Sequence, residues 1–145
     1  MLKVLADTSI IFAALLKPHP QHGDAVPYLR QAEAGELRLV VSTHCLAETY
    51  SSLTAVPAPA RMGPAVAQQM LSTSIFPFVE TVELSTDDYR LAMEHMVRLG
   101  LVSGAIYDAL HVRAAEKAEC DELITFNGRD FRRMPPAPPT RLVIL

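Results

Sequence analysis

Five short apolar runs, at residues 2–6, 37–41, 79–84, 122–125 and 141–145, punctuate this chain, and the stretches between them are long. Runs of this length, rich in Leu, Val and Ile, fit buried strands. Antiparallel neighbours can be joined by a tight hairpin, but parallel strands need a crossover of about a dozen residues or more. The spacing therefore predicts parallel pairing, with helices at residues 10–16, 24–33, 44–53, 65–71, 87–99 and 106–118. Such alternation implies an α/β fold: a three-layer α/β/α sandwich around a mainly parallel, five-stranded sheet.

Local chemistry supports several element ends. Gly35 and Gly100 stand where a helix C-cap glycine is expected. Ser42 or Thr43 can cap the helix that carries Glu48, and Thr86, followed by Asp87 and Asp88, can cap the helix after the third strand. Pro57 and Pro59 break the chain before Gly63-Pro64 restarts it, and Pro135-Pro136-Ala137-Pro138-Pro139 reads as a stiff, extended spacer. No repeat or domain boundary interrupts the pattern, so residues 1–145 are expected to form a single domain with its own core.

Composition narrows the class. Half the residues are apolar and a fifth are charged, which excludes a disordered chain. No apolar run approaches the ~20 residues of a membrane span. Lys3 is the only basic residue before Asp7, so the N-terminal segment is not expected to be a secretory signal. Cys45 and Cys120 show no paired spacing and read as reduced thiols of a cytoplasmic protein. A net charge of −3 argues against a nucleic-acid partner only softly, because acids gathered to hold a cation add negative charge without repelling phosphate once the cation is bound.

The chemistry rests on acids at strand–helix boundaries: Asp7, Glu48, Asp108 and the Asn127/Asp130 pair. In open α/β sheets the ligand crevice lies outside the carboxyl ends of the strands. Each acid also has an ordinary structural reading. Asp7-Thr8-Ser9 is a capping sequence in which Thr8 or Ser9 could cap while Asp7 faces the crevice. Glu48 lies off the apolar stripe Leu46, Tyr50, Leu53 and pairs at i,i+4 with His44, as a solvated face would. Asp108 suits the first turn of a helix, yet its flanks are apolar, and an unpaired buried carboxylate is costly. His111, one turn on, can hydrogen-bond Asp108 or approach a substrate. Asn127-Gly128 is a tight-turn signal, and Asp130 can cap a short terminal helix.

In order and spacing, the strand ending at Asp7-Thr8-Ser9, the helix with Glu48, Tyr107-Asp108-Ala109-Leu110-His111 and Thr125-Phe126-Asn127-Gly128-Arg129-Asp130-Phe131 together resemble the PIN domain. More narrowly, they resemble the toxins of VapBC-type toxin–antitoxin pairs. The resemblance implies a metal-dependent endoribonuclease with Asp7, Glu48 and Asp108 as an acidic triad around Mg²⁺ or Mn²⁺. Asp7 and Asp108 would be the metal ligands, and Glu48 would hold a water or a second metal. Asp130 or Asn127 would fill the fourth position, and Thr8, Ser9 and Thr125 would support the site. Read from the residues alone, Arg129, Arg132 and Arg133 either receive the RNA backbone or form a solvated charge cluster. The implied partners are RNA, a small antitoxin whose tail enters the acidic groove, and a second copy of the chain as a homodimer. Crowded acids suit this chemistry, since two carboxylates ~4 Å apart repel by about 4 kcal/mol at an effective dielectric of 20, and a cation relieves that repulsion. The competing expectation is a catalytically inactive PIN-like module that binds RNA or protein.

Overall fold

In a computed structural model describing residues 1–145, the strands are β1 (Lys3–Ala6), β2 (Arg38–Ser42), β3 (Glu80–Val82), β4 (Glu122–Thr125) and β5 (Arg141–Ile144). The helices are α1 (Thr8–Leu15), α2 (His22–Glu33), α3 (Thr43–Ala55), α4 (Pro64–Ser74), α5 (Thr86–Leu99), α6 (Ala105–Lys117) and α7 (Gly128–Phe131). All strand pairs are parallel, in the order β3-β2-β1-β4-β5. The chain starts at the centre of the sheet, moves out to β3, then returns to the other side of β1 for β4 and β5. That reversal makes the carboxyl ends of β1 and β4 the switch point at which folds of this class bind ligands.

Period-two alternation splits the core into two layers. Val4 and Ala6 of β1 pack with α1, α2, α3 and α4, while Leu5 between them packs with α5, α6 and Phe131. Every strand residue from Val4 to Ala6 and from Leu39 to Ser42 is buried, as expected for a sheet covered on both faces. Cys45 and Cys120 are free and buried. Burial pushes their thiols up to about 12 and about 11, which leaves them inert at neutral pH.

Several element ends differ from the sequence expectation for local reasons. Ser85, not Thr86, caps α5: the Asp88 N–H donates to Ser85 Oγ at 3.2 Å and the Ser85 N–H donates to Asp88 Oδ2 at 2.7 Å. β3 is shorter than expected, and beyond it the Leu84 N–H turns to Thr43 Oγ1 at 3.4 Å. The buried face of α3 is Cys45, Thr49 and Leu53, so Tyr50 is exposed and the apolar stripe is displaced from the one expected. The proline-rich segment turns instead of running extended: the Pro138-Pro139 bond is cis and the Thr140 N–H donates to the Ala137 carbonyl. Asn127-Gly128 opens α7, and glycine fits closely there: a Cβ would come within 2.8 Å of Ile144 Cδ1 on β5, so that side chain would have to shift.

Asp88 is the one acid buried away from the switch point. Arg113 Nε, 2.9 Å from Oδ1, and Lys117 Nζ, on Oδ2, reach it from α6. Burial alone would raise this carboxyl, but Lys117, the Ser85 N–H and Arg113 together hold it far below the usual carboxylate range. The pair pins α6, which carries Asp108 and His111, onto α5.

Candidate active site at the switch point

Asp7 is where β1 stops and α1 starts. Its backbone is extended and its Oδ1 accepts the Ile10 N–H, so Asp7 is itself the N-cap, in place of the Thr8 or Ser9 cap expected. Ser9 Oγ donates to Oδ1 at 2.6 Å and Thr125 Oγ1, at the end of β4, donates to Oδ2 at 2.7 Å. The same hydroxyls then receive the Phe126 and Asn127 N–H groups, which locks the end of β4 to the end of β1. Asp7 is 5% exposed, and burial raises its carboxyl against the opposing pull of His111, Ser9, Thr125 and the Ile10 N–H.

Glu48 projects from α3, whose N-cap is Ser42: its Oγ accepts the Cys45 N–H. Thr8 Oγ1 donates to Glu48 Oε1 at 3.0 Å, and His111 Nε2 lies 2.9 Å from the same oxygen. His111 Nδ1 faces Ser42 Oγ at 3.5 Å, so this buried ring bridges α6 to α3 and does not bond Asp108 as its spacing suggested. His44 Nε2 is also 3.1 Å from Oε1, but out of line for a hydrogen bond, and that buried nitrogen has no partner. Burial would raise Glu48; His111 and His44 outweigh it and hold the carboxyl well below its usual range.

Asp108 sits half-buried in the first turn of α6. Burial pushes its carboxyl up to about 6, the charges of Asp130, Asp7 and Glu48 add to the rise, and His111 opposes it. Asp130, inside α7 and not at its cap, accepts from Asn127 Nδ2 at 2.6 Å and from Arg133 at 3.1 Å. Asn127 and Asp130 are thus bonded partners, with the amide steadying the acid. Arg133 is tied to Asp130, whereas Arg129 and Arg132 lie exposed.

The fold therefore brings Asp7, Glu48, Asp108 and Asp130 to one crevice, with Thr8, Ser9, Thr125 and Asn127 as their hydrogen-bond partners. One contact between two aromatic rings was not expected there. His44 stacks on Tyr107, ring centroids 5.0 Å apart and planes 8° from parallel, and Tyr107 is half exposed. The only sequence signal was the i,i+4 spacing of His44 and Glu48. A cavity of about 600 Å³ between α3 and α4, lined by Tyr50, Pro64, Leu71 and Phe76, contains none of the acids. No helix is long and apolar enough to cross a membrane.

The donors offered to a cation are hard carboxylate oxygens, the type that suits Mg²⁺ or Mn²⁺. No three His, Cys, Asp or Glu side chains are gathered closely enough to form a ready cage. Mg²⁺ does not require one, since it commonly binds through one or two carboxylates and keeps several waters. Asp108 is half-buried in the first turn of α6, and Asp7 Oδ2, which accepts only from Thr125, retains a lone pair, while Oδ1 is already taken up by Ser9 and the Ile10 N–H. The residues fit such an ion.

Residues 4–135 match the family model described as PIN domain. The chain is 31% identical over 123 residues to ribonuclease VapC27 of Mycobacterium tuberculosis, covering 85% of this chain and 83% of that protein. Among solved structures it resembles Mycobacterium tuberculosis VapC20, a Sarcin-Ricin loop cleaving toxin, at 21% identity and a TM-score of 0.70, over 90% of this chain and 95% of that one. It also resembles VapBC2 from Rickettsia felis, solved bound to a DNA fragment from its promoter, at 18% identity and a TM-score of 0.68, over 99% of both chains.

Proposed function

Because the chain belongs to the PIN-domain family, we propose that it is an endoribonuclease that hydrolyses RNA phosphodiester bonds with Mg²⁺ or Mn²⁺, and the toxin of a type II toxin–antitoxin pair. The observation that carries this reading is Asp108: a half-buried carboxylate beside Asp7, Glu48 and Asp130, with burial and their charge raising it to about 6. Acids gathered in this way repel one another, and a bound cation relieves that repulsion.

In this reading Asp7 and Asp108 hold the ion. Bound there, it would lower the pKa of a water and neutralise charge on the phosphate. Glu48, kept ionised and fixed through Oε1 by Thr8 and His111, accepts a hydrogen bond from the attacking water through its other oxygen. Asp130, steadied by Asn127, completes the acidic wall, and exposed Arg129 receives the RNA backbone. Relatives named as ribonucleases and neighbours solved as toxin–antitoxin assemblies support the substrate class and a small antitoxin partner. A homodimer is part of the same proposal.

The direct test is cleavage of labelled RNA with Mg²⁺ or Mn²⁺ by the parent chain and by Asp7→Asn and Asp108→Asn. Asn is also a good N-cap, so Asp7→Asn should fold normally. Both variants should lose about 100-fold or more in rate; undiminished cleavage would sink the assignment. The rival reading is a PIN-like module that binds RNA or protein without cutting. That rival predicts no saturable Mn²⁺ heat in calorimetry that disappears in Asp7→Asn.

A further inference from the structure

We infer that the outer face of Tyr107 is a stacking platform for an unpaired nucleobase of the substrate, flanking the scissile phosphate, with His44 as its fixed backing. The inference rests on the ribonuclease reading above and deepens it by naming what the site recognises beyond phosphate.

Three observations converge. Tyr107 immediately precedes Asp108 in the first turn of α6, and half of its surface is exposed. Tyr107 belongs to neither layer of the core, so the exposed part of its ring is free for something that arrives. One face is already occupied, because His44 lies against it at 5.0 Å with planes 8° from parallel. The backing ring has little room to move: His44 is largely buried, and its ring lies 6.0 Å from that of buried His111. An inward rotation of Tyr107 would have to displace that ring. A planar group arriving from solvent would extend an existing stack, with the ordering cost of the tyrosine already met.

The position suits a base rather than another planar ligand. His44 contacts Glu48 and Tyr107 adjoins Asp108, so the platform lies one nucleotide's reach from a phosphate held at the carboxylates. Proteins that recognise RNA by sequence stack splayed bases on aromatic rings in this manner. The phenol can add a hydrogen bond to a base edge, which would bias the choice of base, while stacking alone tolerates any.

The experiment uses an RNA that the parent chain cleaves, with 2-aminopurine placed in turn at each position flanking the cut. On binding to the cleavage-disabled Asp7→Asn chain, the probe at one flanking position should be quenched, and Tyr107→Leu added to that chain should remove the quenching. In the active chain, Tyr107→Leu should raise KM by about 10- to 100-fold with a smaller change in kcat, and Tyr107→Phe should restore most of the loss. An abasic nucleotide at that position should weaken the parent and leave Tyr107→Leu nearly unaffected. Unchanged quenching and KM in Tyr107→Leu, with cleavage intact, overturn the platform and leave the ribonuclease reading standing. A Tyr107→Leu chain that cuts RNA normally but releases a protein partner also overturns it. No cleavage of any RNA by the parent chain removes the ribonuclease reading and the platform with it.

Discussion

His111 Nε2 and Glu48 Oε1 stand 2.9 Å apart and join α6 to α3 across the crevice. His111 is buried, so the ring cannot swing away, and its other nitrogen meets Ser42 at the head of the helix that carries Glu48. Both ends of the imidazole thus hold α3. With Thr8 on the same oxygen, the Glu48 carboxylate has a single orientation available.

Replacing His111 should disturb the site through Glu48. His111→Leu should lower kcat by about 100-fold, the scale of a misplaced catalytic group, with little change in KM. His111→Gln, which can present an amide donor to Oε1, should recover part of that loss. Steady-state kinetics on a short RNA would decide it. Equal damage from Leu and Gln would mean that the imidazole matters only as packing.

The pH dependence of stability follows from Asp108 with a definite sign. Its carboxyl is raised from 3.8 to about 6 by burial and by neighbouring acids. A raised carboxylate binds its proton more tightly folded than unfolded, so its contribution is fully present below 3.8 and is lost as pH rises through about 6. Metal-free parent protein should therefore lose Tm relative to Asp108→Asn between pH 4 and pH 7. Added Mn²⁺ should restore more Tm at pH 7 than at pH 5, because at the lower pH it must displace a proton. Parallel Tm curves for the two proteins would refute this account of Asp108.

Asp88 and Asp108 are both acids on the first turn of a helix, and sequence reading treated them alike in that respect. The structure separates them by what stands opposite: Arg113 and Lys117 for Asp88, other carboxylates for Asp108. Asp88→Asn should cost about 2–3 kcal/mol of stability, below the usual figure for breaking a buried pair because both cations keep partial access to water. Metal binding at the crevice should persist in the folded fraction. Denaturant unfolding and Mn²⁺ titration of the same variant would check both halves.

The layout of the sheet was legible because crossover lengths and apolar runs are properties of the chain itself. Asp7 and Asp108 were legible for the same reason, since one ends a strand and the other lies in the first turn of a helix, whereas Glu48 sits more than a turn into α3 and Asp130 inside α7. What escaped depends on side-chain direction. The spacing of Asp108 and His111 put them one turn apart on a helix, but not which of them would face Ser42 and Glu48. Likewise, Asn127 and Asp130 looked like alternatives in sequence, and only the folded geometry of α7 makes them partners. The stack of His44 on Tyr107 joins residues on different helices, which no local pattern encodes.

Gly128 offers a test of how tightly the fourth acid is held. Its backbone is helical, so conformational freedom is not the reason for glycine; the nearby Ile144 side chain is. A methyl group there would meet Ile144 Cδ1 at 2.8 Å and Cγ2 at 3.0 Å, too close to be accommodated without movement. Either the isoleucine shifts rotamer or α7 lifts off β5, and overpacking of this kind costs about 1–3 kcal/mol. If α7 lifts, Asp130 moves with it, since it lies on the same short helix. Gly128→Ala should then lower both Tm and RNA cleavage, and Gly128→Ala with Ile144→Val, which deletes the closest methyl, should recover both together. Recovery of Tm without recovery of cleavage would show that the position of Asp130 is set elsewhere.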